Sequence, residues 1–181
     1  MSCGALFRFD PEFHAQNRAA INDMVEHGGN IQLDFDTMTI YPAENKTGGY
    51  NFIQMPRGAV DWHSHPRKCK TRNVCAIGLP SPADMINITL GAMHGTNAHA
   101  VYATEGTYII QLRRELVEAL QSNPCYLHMY CKRCKINLEK FHQKFIRSAT
   151  KRYSTYVKDW MAVAEELGFI ARFFAKDNPP E

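Results

Sequence analysis

The sequence predicts an α/β domain: a mixed β-sheet flanked by helices, with a helical C-terminal extension. Three observations carry this. Alternating segments rich in β-branched and aromatic residues, such as "NIQLDFDTMTIY" and "GAVDWHSH", fill the first half and return as "AHAVYAT" and "TYIIQL". Two helix-start signals, Asp10-Pro11 and Ser81-Pro82, punctuate them. Beyond residue 112 aromatic and aliphatic residues recur at helical spacing. A chain of 181 residues that is 45% hydrophobic has enough apolar surface for one good core.

In chain order, Asp10 and Pro11 open a helix whose apolar positions are Phe13, Ala20, Ile21, Met24 and Val25, and Gly28-Gly29 is expected to end it. Residues 30–41 read as one strand or a hairpin, "KTGGYNFIQM" as a turn into another strand, and "GAVDWHSH" as a third. "RKCKTRNVCAIGL" reads as a polar loop. Ser81 at the N-cap, Pro82 at N1 and Asp84 at N3 then start a helix with apolar Met85, Ile88, Leu90 and Met93. A turn at Glu105-Gly106 is expected to join "AHAVYAT" and "TYIIQL" into a hairpin. Phe141, Phe145, Ala149, Tyr153, Tyr156, Trp160, Val163 and Leu167 mark one long amphipathic stripe capped at Gly168. The expected division is a core over 1–112 and a helical extension over 113–181.

No apolar run approaches the ~20 residues that span a bilayer. The start, "MSCGALFRFDPEF", has neither a basic n-region nor an apolar h-region, so the expected compartment is cytoplasm or nucleus, with no membrane. There the six cysteines are expected as thiols or zinc ligands. The net charge of +3 is uneven: residues 125–158 hold nine Lys/Arg against one Glu, a net +8, and the remainder carries −5.

Side chains alternate along a strand, so His63 and His65 in "DWHSHP" share one face and can offer two imidazole nitrogens to one ion. Trp62 points to the other face, toward a core. Asp84, in the first turn of the next helix, is the natural third ligand. Two imidazoles and a carboxylate suit Zn²⁺ with one vertex left for water. The plain alternative is that the histidine pair is incidental and that Ser81 and Asp84 are a capping pair with no further chemistry.

His63-Ser64-His65-Pro66 followed by Pro80-Ser81-Pro82-Ala83-Asp84 resembles the H-S-H-P…P-S-x-x-D signature of the JAMM (MPN+, JAB-type) zinc metalloproteases. The resemblance covers roughly residues 10–112. It implies an MPN-like fold with cytidine-deaminase-like layering, and isopeptidase or peptidase activity on conjugates of ubiquitin or a ubiquitin-like protein. Under it His63, His65 and Asp84 match the metal ligands, and Ser81 the serine that stabilises the oxyanion. One feature departs from the pattern: fifteen residues, 66–80, separate His65 from Ser81, more than the family has there, and they include Cys69 and Cys75. Such an insertion costs little entropy and bears on substrate identity more than on the metal.

The family also uses an upstream glutamate that takes a proton from the activated water and passes it to the leaving amine. Glu12 fits the first turn of a helix, where the dipole favours a carboxylate, and Glu44 falls in a loop. Glu26, where helix gives way to strand, matches the family position best; the alternative is a solvated helix residue.

Two other functional classes fit less of the chain. Asp61-Trp62-His63-Ser64-His65 also matches the D-x-H-x-H start of PHP-type metal phosphoesterases, yet no second histidine-rich cluster follows. A non-catalytic MPN-like scaffold or partner-binding module is the other alternative. Cys125, His128, Cys131 and Cys134 could supply a second, structural zinc, or the spacing could simply place cysteines on one helix face; Cys69 and Cys75 could pair with them instead. Lys135, Lys140, Lys144, Arg147, Lys151, Arg152 and Lys158 read either as a solvated helix face or as a docking surface for nucleic acid or an acidic partner.

Overall fold

The computed structural model describes residues 8–9, 11–34, 39–49, 58–66, 69–71, 74–75, 77–147 and 153–176. The elements run β1 (Arg8–Phe9), α1 (Pro11–Ala20), β2 (His27–Asp34), β3 (Thr39–Thr47), β4 (Val60–Ser64), β5 (Cys69–Thr71), β6 (Val74–Cys75), α2 (Pro82–Met93), β7 (Ala98–Tyr102), β8 (Gly106–Leu112), α3 (Arg114–Gln121), α4 (Pro124–Arg147), α5 (Tyr153–Glu166) and β9 (Phe169–Ala175). Seven strands form one sheet in the order β1-β3-β2-β4-β7-β8-β9. β1 runs parallel to β3, whereas β2 is antiparallel to both β3 and β4, so the sheet is mixed and the fold α/β. The histidine-bearing β4 is the middle strand.

Two compact units divide the chain: the first takes the chain up to Gly78 with Ala100–Tyr108 and the end from Phe174, the second Leu79–His99 with Ile109–Phe173. In the first, Phe13, Trp62 and Tyr102 are buried and meet edge to face, with centroids 5.9 Å and 6.0 Å apart. Each such pair contributes about 0.5–1.5 kcal/mol beyond its burial. Trp62 is therefore core, as its parity on β4 predicts. In the second, Met85, Leu120, Cys134, Leu138, Trp160, Ala164 and Phe169 are buried, and the Tyr130 hydroxyl donates to the Leu167 carbonyl at 2.7 Å.

Four local expectations are corrected. The first helix stops at Ala20, and Met24 is exposed. Gly28 and Gly29 lie inside β2 rather than ending a helix. Gly29 is required by close approach: a Cβ there would meet the Glu44 carbonyl and come within 2.9 Å of Trp62 Nε1. Within the expected polar loop, β5 and β6 pair antiparallel, with Cys69 opposite Cys75. The β7–β8 turn is one residue earlier than expected, Ala103 and Gly106 exchanging backbone hydrogen bonds across Thr104-Glu105.

The segment after Leu112 is not helical throughout, because β9 follows α5 and joins the sheet beside β8. Gly168 ends α5 with φ +90°, a left-handed cap that favours glycine. The stripe residues Phe145, Ala149 and Tyr153 and most of "KTGGYNFIQM" lie outside the residues or side chains described. Among the described residues, no helix is long and apolar enough to cross a membrane.

Candidate metal centre

β4 presents His63 one residue before its end, buried, and His65 follows just past that end, half-buried. Their alternation with Trp62 turns both rings to one side of the chain, where the two Nε2 atoms stand 2.9 Å apart. Around a tetrahedral zinc two imidazole nitrogens sit about 3.3 Å apart, so the observed pair needs to open by only a few tenths of an ångström. The other nitrogen of His65, Nδ1, lies 2.8 Å from the Gly78 carbonyl oxygen. A carbonyl only accepts, so Nδ1 carries the proton and Nε2 the lone pair, the tautomer a metal requires. Across the β2–β4 ladder, Gly28 is the partner of His63, so the position directly opposite that ring carries no side chain.

Asp84 owes its place to a helix cap. Ser81, in extended conformation, accepts the Asp84 N–H on its Oγ at 3.2 Å, while Asp84 Oδ2 accepts the Ser81 N–H at 2.6 Å. This capping box fixes the carboxylate's orientation, and a carboxylate has acceptor capacity beyond one bond. Nitrogens of His63 and His65 and a carboxylate oxygen of Asp84 all lie within 4.8 Å of one another. The capping role and the ligand role are thus compatible. Two imidazoles and one carboxylate are donors that suit zinc, and the three residues could hold a metal ion. Ser81 Oγ accepts one hydrogen bond in the cap and keeps its own hydrogen for donation.

Glu26 is buried, immediately before β2, and lies outside this group of three. Its backbone continues the β2–β3 ladder, donating to Gly49 O at 2.9 Å and accepting from Gly48 N at 2.7 Å. The next residue, His27, donates its N–H to Ser64 Oγ at 2.9 Å. Two residues beyond Gly28, the partner of His63, position 26 has the parity of the histidine face.

Among the described residues, His63, His65 and Asp84 are the one such group of three or more. Asp61, the first residue of the phosphoesterase-like pattern, is buried on β4 but is not in it. Cys125, His128, Cys131 and Cys134 all ride on the single helix α4 and are not brought together. Cys125 and His128 are exposed, whereas Cys134 is fully buried on the stripe of Tyr130 and Leu138. Burial pushes the Cys131 and Cys134 thiols up. Lys135, Lys140, Lys144 and Lys158 are exposed, and Lys135 lies 3.9 Å from Glu139, as on a solvated helix face; the side chains of Arg147, Lys151 and Arg152 fall outside those described.

Sequence reasoning missed Gly78. It accepts from His65, and a Cβ on it would come within 2.7 Å of Ala103 Cβ and 3.3 Å of His65 Cβ. Nothing local marks it, because both constraints come from distant positions. Compared with protein-family models, curated proteins and solved structures, the chain matches none.

Proposed function

We propose that this chain is a JAMM-type zinc isopeptidase acting on conjugates of ubiquitin or a ubiquitin-like protein. The observation that carries this reading is the convergence of His63, His65 and Asp84, in a sequence that orders them as that family does. His63, His65 and Asp84 would hold Zn²⁺, which when bound would supply the Lewis acidity that activates water near neutral pH. Glu26 accepts a proton from the attacking water and delivers it to the departing amine nitrogen. The Ser81 hydroxyl donates to the carbonyl oxygen as negative charge grows there. The hairpin of β5 and β6, inserted between His65 and Ser81, contributes to the choice of substrate.

The test is cleavage of a panel of isopeptide-linked ubiquitin-like conjugates by the purified chain. Wild type cleaves at least one, chelation abolishes cleavage and zinc restores it. Glu26→Gln lowers the rate by about 10²–10⁴-fold with metal retained. Cleavage that survives chelation, full activity in Glu26→Gln, or no cleavage of any conjugate would each contradict the reading; the last leaves the scaffold alternative.

A further inference from the structure

The hydrogen bond that sets the His65 tautomer ends on a glycine, whose own conformational preferences do little to fix its carbonyl. Gly78 has no side chain to pack, and a Cβ is excluded by Ala103 and His65. Glycine is the most conformationally permissive residue, so the position of its carbonyl must be imposed from outside.

Glu105 does this. Its Oε2 accepts the Gly78 N–H at 3.0 Å, and its Oε1 accepts the hydroxyl of fully buried Tyr108 at 2.6 Å. Only the φ and ψ of one residue separate the N–H held by Glu105 from the C=O that receives His65 Nδ1. The turn that carries Glu105 is itself braced. Ala103 and Gly106 exchange backbone bonds, and Arg18 Nη1 donates to both carbonyls, at 2.7 Å and 2.9 Å. The Glu105 carbonyl accepts from Lys176 N at 3.1 Å.

We infer that Glu105 is a positioning residue for the metal ligand His65, acting through Gly78. The inference rests on the metal reading above. Outer partners of ligating histidines orient the ring, and their loss weakens metal binding by about 10–100-fold.

The test measures zinc affinity by competition with a chromophoric chelator, at a temperature where circular dichroism shows each variant folded. The visible spectrum of the Co²⁺-loaded protein is recorded alongside. Glu105→Ala weakens zinc by about tenfold and alters the Co²⁺ spectrum, while Glu105→Gln stays within about threefold of wild type. The glutamine amide still accepts from Gly78 and donates to the Tyr108 oxygen. Glu105→Asp, which keeps the charge but loses reach, weakens zinc in the same direction and serves if the alanine variant unfolds. Wild-type affinity and an unchanged spectrum in folded Glu105→Ala or Glu105→Asp would overturn the inference and leave the metal reading standing. Failure of the wild-type chain to bind zinc would overturn both.

Discussion

Ser81 and Asp84 satisfy each other's backbone, each side chain accepting the other's N–H across the first turn of α2. One pair of residues therefore starts a helix and aims a carboxylate.

The cap and the candidate metal site are expected to separate by mutation. Ser81→Ala removes the cap acceptor and lowers stability by about 1 kcal/mol, while zinc affinity changes little. Asp84→Asn keeps an oxygen for the Ser81 N–H, so stability holds, but the loss of charge weakens zinc at least tenfold. Urea titrations and chelator competition on both variants check this; parallel losses in both quantities would show one shared role.

Gly29 is held to glycine by the backbone of β3. In Gly29→Ala the new methyl meets the Glu44 carbonyl and the Trp62 indole, and backbone cannot yield as a side-chain tip would. The expected cost is about 1–3 kcal/mol, seen as a lower denaturant midpoint with unchanged slope. An unchanged midpoint would contradict the close approach.

Burial pushes the Tyr102 hydroxyl up to about 12, against smaller opposing effects of the Asn17 hydrogen bond and the Arg18 charge. The folded value lies above the unfolded one, near 10, so its contribution is intact below about pH 10 and is lost as pH rises toward 12. The difference corresponds to about 2–3 kcal/mol at most. Denaturant midpoints of wild type and Tyr102→Phe, followed from pH 9 upward, should fall more steeply in wild type; parallel curves would contradict the buried phenol.

What the sequence made legible was local. Period-2 alternation puts His63 and His65 together and Trp62 opposite, and the Ser-Pro-x-Asp run marks the start of α2. What it concealed was set by distant partners. Two adjacent glycines are a good helix stop, and only the pairing of Gly29 with Asn45 on one side and Trp62 on the other makes it a strand residue. A spacing of three suggests ligands at Cys131 and Cys134, yet Cys134 shares its helix face with Tyr130 and Leu138 and is core. "FIARFFA" has the composition of a strand, but the helical stripe before it masked that signal. Glu105 lies 27 residues from Gly78 and carries no motif.

The most direct measurement is the zinc content of the purified chain beside His65→Ala and Asp84→Ala. The convergence of the three side chains predicts about one zinc per wild-type chain and less than about a tenth in either variant. A wild-type chain without zinc, or variants that retain a full equivalent, would contradict it.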